Sequence, residues 1–134
     1  MPRTVSPRRA VFALLALVVG FVVIAPPPAG ALSKSVILRL RAAARAQYPD
    51  AGDVMRRYSV MVYRGKAYAT TRGTVKGVET VAVWEYVPDA WHCIFDYPKT
   101  ESASPQVTQR YRAYGFTARQ QNAVLAKPKP FPDS

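Results

Sequence analysis

The sequence predicts an α+β domain, and three observations carry that prediction. Four β-rich runs follow one another with turn signals between them at Gly65-Lys66, Lys76-Gly77 and Pro88-Asp89. Helical apolar stripes flank them on both sides in sequence. Side-chain alternation stays in phase across all three turns, which a wrong turn assignment would break.

The chain opens on a leader rather than on the domain. Arg3, Arg8 and Arg9 precede an apolar run from Ala10 to Ala25, followed by Pro26-Pro27-Pro28 and then Ala29-Gly30-Ala31. A basic flank, a short apolar run and a small-x-small site are the marks of a secretory signal peptide. The run is also shorter than the ~20 residues that span a bilayer. Residues 1–31 are therefore expected to be removed, with no cysteine at the cut to accept a lipid. What remains is one domain over 32–126 and a Pro/Lys-rich tail over 127–134, expected to be extended and disordered.

Ser33 caps a first helix from Lys34 to about Tyr48, ended by Pro49 and the turn at Asp50–Asp53. Its stripe is Val36, Leu40, Ala44 and Tyr48, with Ile37 beside it and Lys34, Arg41 and Arg45 opposite. The strands are Tyr58–Arg64, Ala67–Val75, Val78–Val87 and Trp91–Tyr97. Two-residue loops pair Arg64 with Ala67, Val75 with Val78 and Val87 with Ala90. One face then collects Val60, Val62, Ala67, Ala69, Thr71, Thr80, Ala82, Trp84, Tyr86, Trp91, Cys93, Phe95 and Tyr97. The other receives Met61, Tyr63, Tyr68, Arg72, Glu79, Glu85, His92 and Asp96. One apolar and one charged face imply a four-stranded antiparallel meander buried on one side. Ser104 with Pro105 starts a second helix with Val107, Tyr111 and Tyr114 as its stripe. Thr117 and Gln120 form a capping box for a third, ending near Ala126. All three helices are expected on the apolar face, which gives two layers.

Charge and composition narrow the function. Three of the 19 basic residues lie in the leader, leaving 16 against 8 acidic ones. An exported cationic protein meets anionic envelope polymers and lipid head groups before nucleic acid. A nucleic-acid partner is therefore not expected, and the membrane is touched only through the leader. The single Cys93 rules out an internal disulfide framework. Adjacent His92 and Cys93 point to opposite faces of a strand and cannot readily share an ion, so no metal and no cofactor is expected.

Two groups of side chains merit attention as sites. Glu85 lies opposite His92 with Asp96 further along the same strand, and a carboxylate beside an imidazole is the raw material of acid–base chemistry. No nucleophile is visibly placed with them. Tyr63, Arg64, Lys66 and Tyr68 surround the first hairpin, where exposed aromatics interleaved with cations suit sugars or polyanions.

The motifs Tyr63-x-Gly65-x-Ala67-Tyr68-Ala69, Asp89-Ala90-Trp91-His92-Cys93-Ile94 and Tyr114-Gly115-Phe116-Thr117, the last leading to Ala123-Val124-Leu125, occur in a characteristic order. That order resembles the small exported bacterial proteins associated with copper-uptake systems. The turn-Trp-strand piece is equally similar to cone-shaped domains of the nuclear-transport-factor-2-like and cystatin-like kinds. The chain departs in having only Gly73 and Gly77 where a Gly-rich segment belongs. The resemblance implies export and an α+β fold and supplies no catalytic residues. The expected function is an exported, non-catalytic accessory or binding protein whose partner is an anionic envelope component or another protein. The alternatives are a small enzyme using Glu85, His92 and Asp96, and a cationic module that binds envelope polyanions.

Overall fold

Type I′-like turns at Arg64-Gly65 (φ 49 and 78) and Lys76-Gly77 (φ 50 and 79) close the first two hairpins. Proline cannot take a positive φ, so the third turn puts only Asp89 (φ 66) in the left-handed region. These turns organise a computed structural model that describes residues 32–49 and 56–133. The leader expected at 1–31 and the turn expected at Asp50–Asp53 lie outside the described residues.

The elements are α1 (Lys34–Gln47), β1 (Arg57–Tyr63), β2 (Lys66–Val75), β3 (Val78–Val87) and β4 (Ala90–Pro98), then a 3-10 turn (Lys99–Glu101), α2 (Pro105–Ala113), α3 (Ala118–Leu125) and a short β5 (Lys129–Pro130). The sheet is antiparallel with strand order β4-β3-β2-β1-β5. It has five strands where the sequence predicts four. Part of the stretch expected to be a disordered tail is the fifth. Arg57 pairs with Pro130 and Tyr58 with Lys129, and Phe131 stacks on Tyr58 at 4.7 Å between ring centroids.

Each helix begins at its predicted cap. The backbone N–H of Val36 donates to Ser33 Oγ, and that of Val107 donates to Ser104 Oγ. At α3 the capping box is complete, with Gln120 N–H donating to Thr117 Oγ1 and Thr117 N–H donating to Gln120 Oε1.

The two-layer expectation fails because both sheet faces are covered. Ile37, Leu40 and Ala44 of α1 pack on Tyr58, Ala67, Ala69, Ala82, Trp84 and Trp91. Val107 and Tyr111 of α2, Phe116, and Val124 of α3 pack on the opposite face, against Met61, Tyr68, Val81, Val83, Phe95 and Tyr97. The fold has three layers, with α1 on one side and α2 and α3 on the other. The charged face of the prediction carries its charges toward the strand ends and an apolar centre at Val81 and Val83, which are almost fully buried.

Two register details differ. Tyr63 pairs with Lys66, so the first loop is Arg64-Gly65 rather than Gly65-Lys66. That shifts every β1–β2 pair by two positions and leaves each side chain on its predicted face. The second detail matters more. Trp84 pairs with Cys93 but Val83 pairs with Phe95, so Ile94 is an extra residue, a β-bulge in β4. Beyond it the alternation inverts. Phe95 and Tyr97, expected with Trp84, lie instead under α2, and Asp96 moves to the α1 face.

Polar handles lock the layers together. Trp91 Nε1–H donates to the Val36 carbonyl of α1 (3.0 Å), and Trp84 Nε1–H donates to Thr71 Oγ1 (2.8 Å). On the other face, Thr70 Oγ1–H donates to the Val124 carbonyl and Arg72 Nη2–H to the Leu125 carbonyl, both at 2.7 Å. The last carbonyls of α3 have no partners within the helix, so two alternate residues of β2 satisfy them. A cation there also suits the negative end of the helix.

Candidate functional site

The bulge decides the fate of the predicted acid–base group. Glu85 pairs across the sheet with His92, as expected. Asp96 is not with them. It sits on the α1 face, where Tyr48 Oη–H donates to its Oδ2 at 2.7 Å. His92 is exposed and Glu85 partly so. Glu85 also lies beside the buried phenol of Tyr68, whose pKa rises through desolvation first and through that carboxylate second. The structure thus brings together a solvated pair, and the third member expected with it faces the other way.

Cys93 stays near Trp84, half-buried, with Tyr48 Oη 4.0 Å from its sulfur. Burial pushes its thiol pKa up, which keeps it protonated and a poor nucleophile or metal ligand. Among the described residues no three His, Cys, Asp or Glu side chains group as metal ligands do.

The hairpin cluster also divides. Tyr68 and Met61 are core, with Tyr68 meeting Phe116 edge-on at 4.8 Å. Arg64 and Lys66 are exposed, and the Arg64 guanidinium lies 5.1 Å from the ring centre of Tyr63. Only Tyr63, Arg64 and Lys66 remain presented to solvent, so a stacking platform of two tyrosines does not form.

At the opposite end of the sheet, a cleft of about 380 Å³ opens between β1, β2, β3, the 3-10 turn and the chain after α3. Arg56, Arg57, Arg72 and Lys99 line it together with Glu79, Gly73, Pro128 and Pro130. Four cations thus face one carboxylate across a concave surface. Glu79 pairs with Lys99 at 3.6 Å, both side chains about half exposed, so solvent weakens that bond. Arg72 is the anchored member, held by the Leu125 carbonyl through Nη2, while its buried Nε finds no acceptor among the described residues. Clefts of this kind concentrate anions because low-dielectric walls focus the field of convergent charges.

Alternation places Arg72 and Glu79 on this face, but nothing in the sequence marks them as a site. Arg56-Arg57, Arg72, Lys99 and Pro128-x-Pro130 are far apart along the chain and match no spacing motif. The only signal was the basic excess itself. Protein-family models, curated proteins and solved structures were all compared with the chain, and none matches.

Proposed function

We propose that the chain is a small exported, non-catalytic accessory protein that binds an anionic partner through the cleft at Arg56, Arg57, Arg72 and Lys99. The convergence of these four cations on one concave surface carries the reading. The arrangement of Glu85, His92 and Asp96 supports it from the other side, because a solvated pair with its third member on the far face does not resemble a preorganised acid–base centre. Export belongs to the same proposal and rests on the leader sequence. An anionic envelope component is then the partner the protein would meet first.

Retention on an anionic matrix tests the binding. The wild-type chain should elute at higher salt than an Arg57→Gln/Lys99→Gln double variant, whose replaced side chains are exposed. An Arg41→Gln/Arg45→Gln variant, which loses the same charge on α1, should elute closer to wild type than the cleft variant does. Retention indifferent to ionic strength, or lost only with the α1 charges, would refute the assignment. Export is checked by the mass of the mature chain, which should begin at Leu32.

A further inference from the structure

Building on the anion-binding reading, we infer that the cleft is shaped for a phosphoryl group carried on a small polyol or sugar unit, in preference to a carboxylate. Donor geometry and charge select that chemistry. A carboxylate offers two oxygens in one plane and is satisfied by a single guanidinium fork. Here Arg56-Arg57, Arg72 and Lys99 approach from three separate stretches of the chain. Donors arriving from several directions match the oxygens of a tetrahedral phosphoryl group. The charge is matched as well: Arg57, Arg72 and Lys99 against Glu79 leave an excess of two positive charges, suited to a dianion.

Arg72 is the positioned donor. The end of α3 fixes its guanidinium through the Leu125 carbonyl, and its Nε is left without an acceptor among the described residues. A guanidinium held this way loses little freedom when an anion arrives. The cleft's size limits what accompanies the phosphate. At about 380 Å³ it lies at the small end of ligand pockets, enough for one phosphorylated unit. The wall at Pro130 has no N–H to donate, so that side confines the ligand by shape while the charged side chains supply the hydrogen bonds.

The test is calorimetric titration of the mature chain with glycerol phosphate, inorganic phosphate and succinate at low salt, alongside flotation with phosphatidylglycerol vesicles. Glycerol phosphate should give saturable heat and bind about tenfold more tightly than succinate of equal charge. Arg57→Gln and Lys99→Gln should each weaken it several-fold with the circular dichroism spectrum unchanged, and Glu79→Gln should strengthen it. Inorganic phosphate binding as well as glycerol phosphate would support the phosphoryl assignment and name the free ion as ligand. Succinate binding as tightly would overturn the phosphoryl preference while leaving anion binding intact. Vesicle flotation with no heat from either soluble phosphate would overturn it in favour of diffuse surface attraction. No heat from any anion, together with salt-independent retention, would remove the binding reading itself.

Discussion

Tyr97 and Tyr111 offer the cleanest energetic test of how α2 is attached. Their hydroxyl oxygens are 2.6 Å apart in the core beneath α2, and the residues are 3% and 0% exposed. One hydroxyl donates to the other, and both rings pack around Phe95 at 6.1 and 5.0 Å. Tyr111→Phe removes one partner and keeps the ring, so the Tyr97 hydroxyl remains buried with its hydrogen bond unmade. Such a group costs about 1–3 kcal/mol, and Tyr97→Phe should cost a similar amount. The double variant removes both hydroxyls, strands neither, and should lie within about 1 kcal/mol of wild type. Each kcal/mol corresponds to about 4–8 °C in Tm for a domain of this size. Thermal melts of the four proteins close a double-mutant cycle, in which the double variant melts above both singles. If the two losses simply add, the hydroxyls act independently and the account of the pair is wrong.

Three further outcomes follow from the same geometry. Thr117→Ala, which breaks the α3 capping box, should cost about 1 kcal/mol in chemical denaturation, and an unchanged midpoint would show that the box contributes nothing. Tyr48, Tyr68, Tyr97 and Tyr111 all have pKa values raised above 10.0, chiefly by burial. A raised folded-state value means their contribution is fully present below about pH 10 and is lost as pH rises beyond it. Tyrosinate absorbance of these four should therefore rise together with the loss of far-ultraviolet circular dichroism, and ionisation well before unfolding would contradict their burial. Finally, Arg110 Nη1–H donates to the Asp96 carbonyl (2.9 Å) and Tyr114 Oη–H to the Ile94 carbonyl (3.1 Å), so two side chains following β4 occupy acceptors on a sheet edge. Arg110→Gln with Tyr114→Phe should free that edge for pairing between molecules, seen as concentration-dependent light scattering; a strictly monomeric variant would refute the protective role.

Local chemistry made much of the fold readable. Ser33, Ser104 and Thr117 each cap the helix predicted to follow, because a side-chain oxygen on an otherwise unpaired N–H is decided within one turn of chain. Val78–Val87 matches its predicted bounds for the same reason, since Lys76-Gly77 and Pro88-Asp89 are local signals. The second covered face was harder to see. Val81 and Val83 lie on the side that also carries Glu79 and Glu85, so counting charges along β3 hid the apolar centre between them. Placement of Phe131 was less legible still. Its stacking on Tyr58 joins residues far apart in sequence, and composition after Ala126 indicates only an extended chain.

The bulge at Ile94 explains why the predicted site and the observed cleft differ. A bulge inserts one residue without leaving a turn signal, so alternation read through Trp91–Tyr97 stays self-consistent while being wrong beyond its midpoint. The physical reason for the inversion lies outside β4. Without it, Phe95 and Tyr97 would crowd the face that Trp84 and Trp91 already fill beneath α1, and Tyr111 would face Asp96 instead of a phenol. With it, the aromatic residues are shared between two cores and Asp96 finds Tyr48. The same step removes Asp96 from Glu85 and His92, so the arrangement that builds the second core also takes apart the acid–base trio. On that face, the charges that remain gathered are Arg57, Arg72 and Glu79, beyond the end of the apolar centre, where β5 and the 3-10 turn close around them.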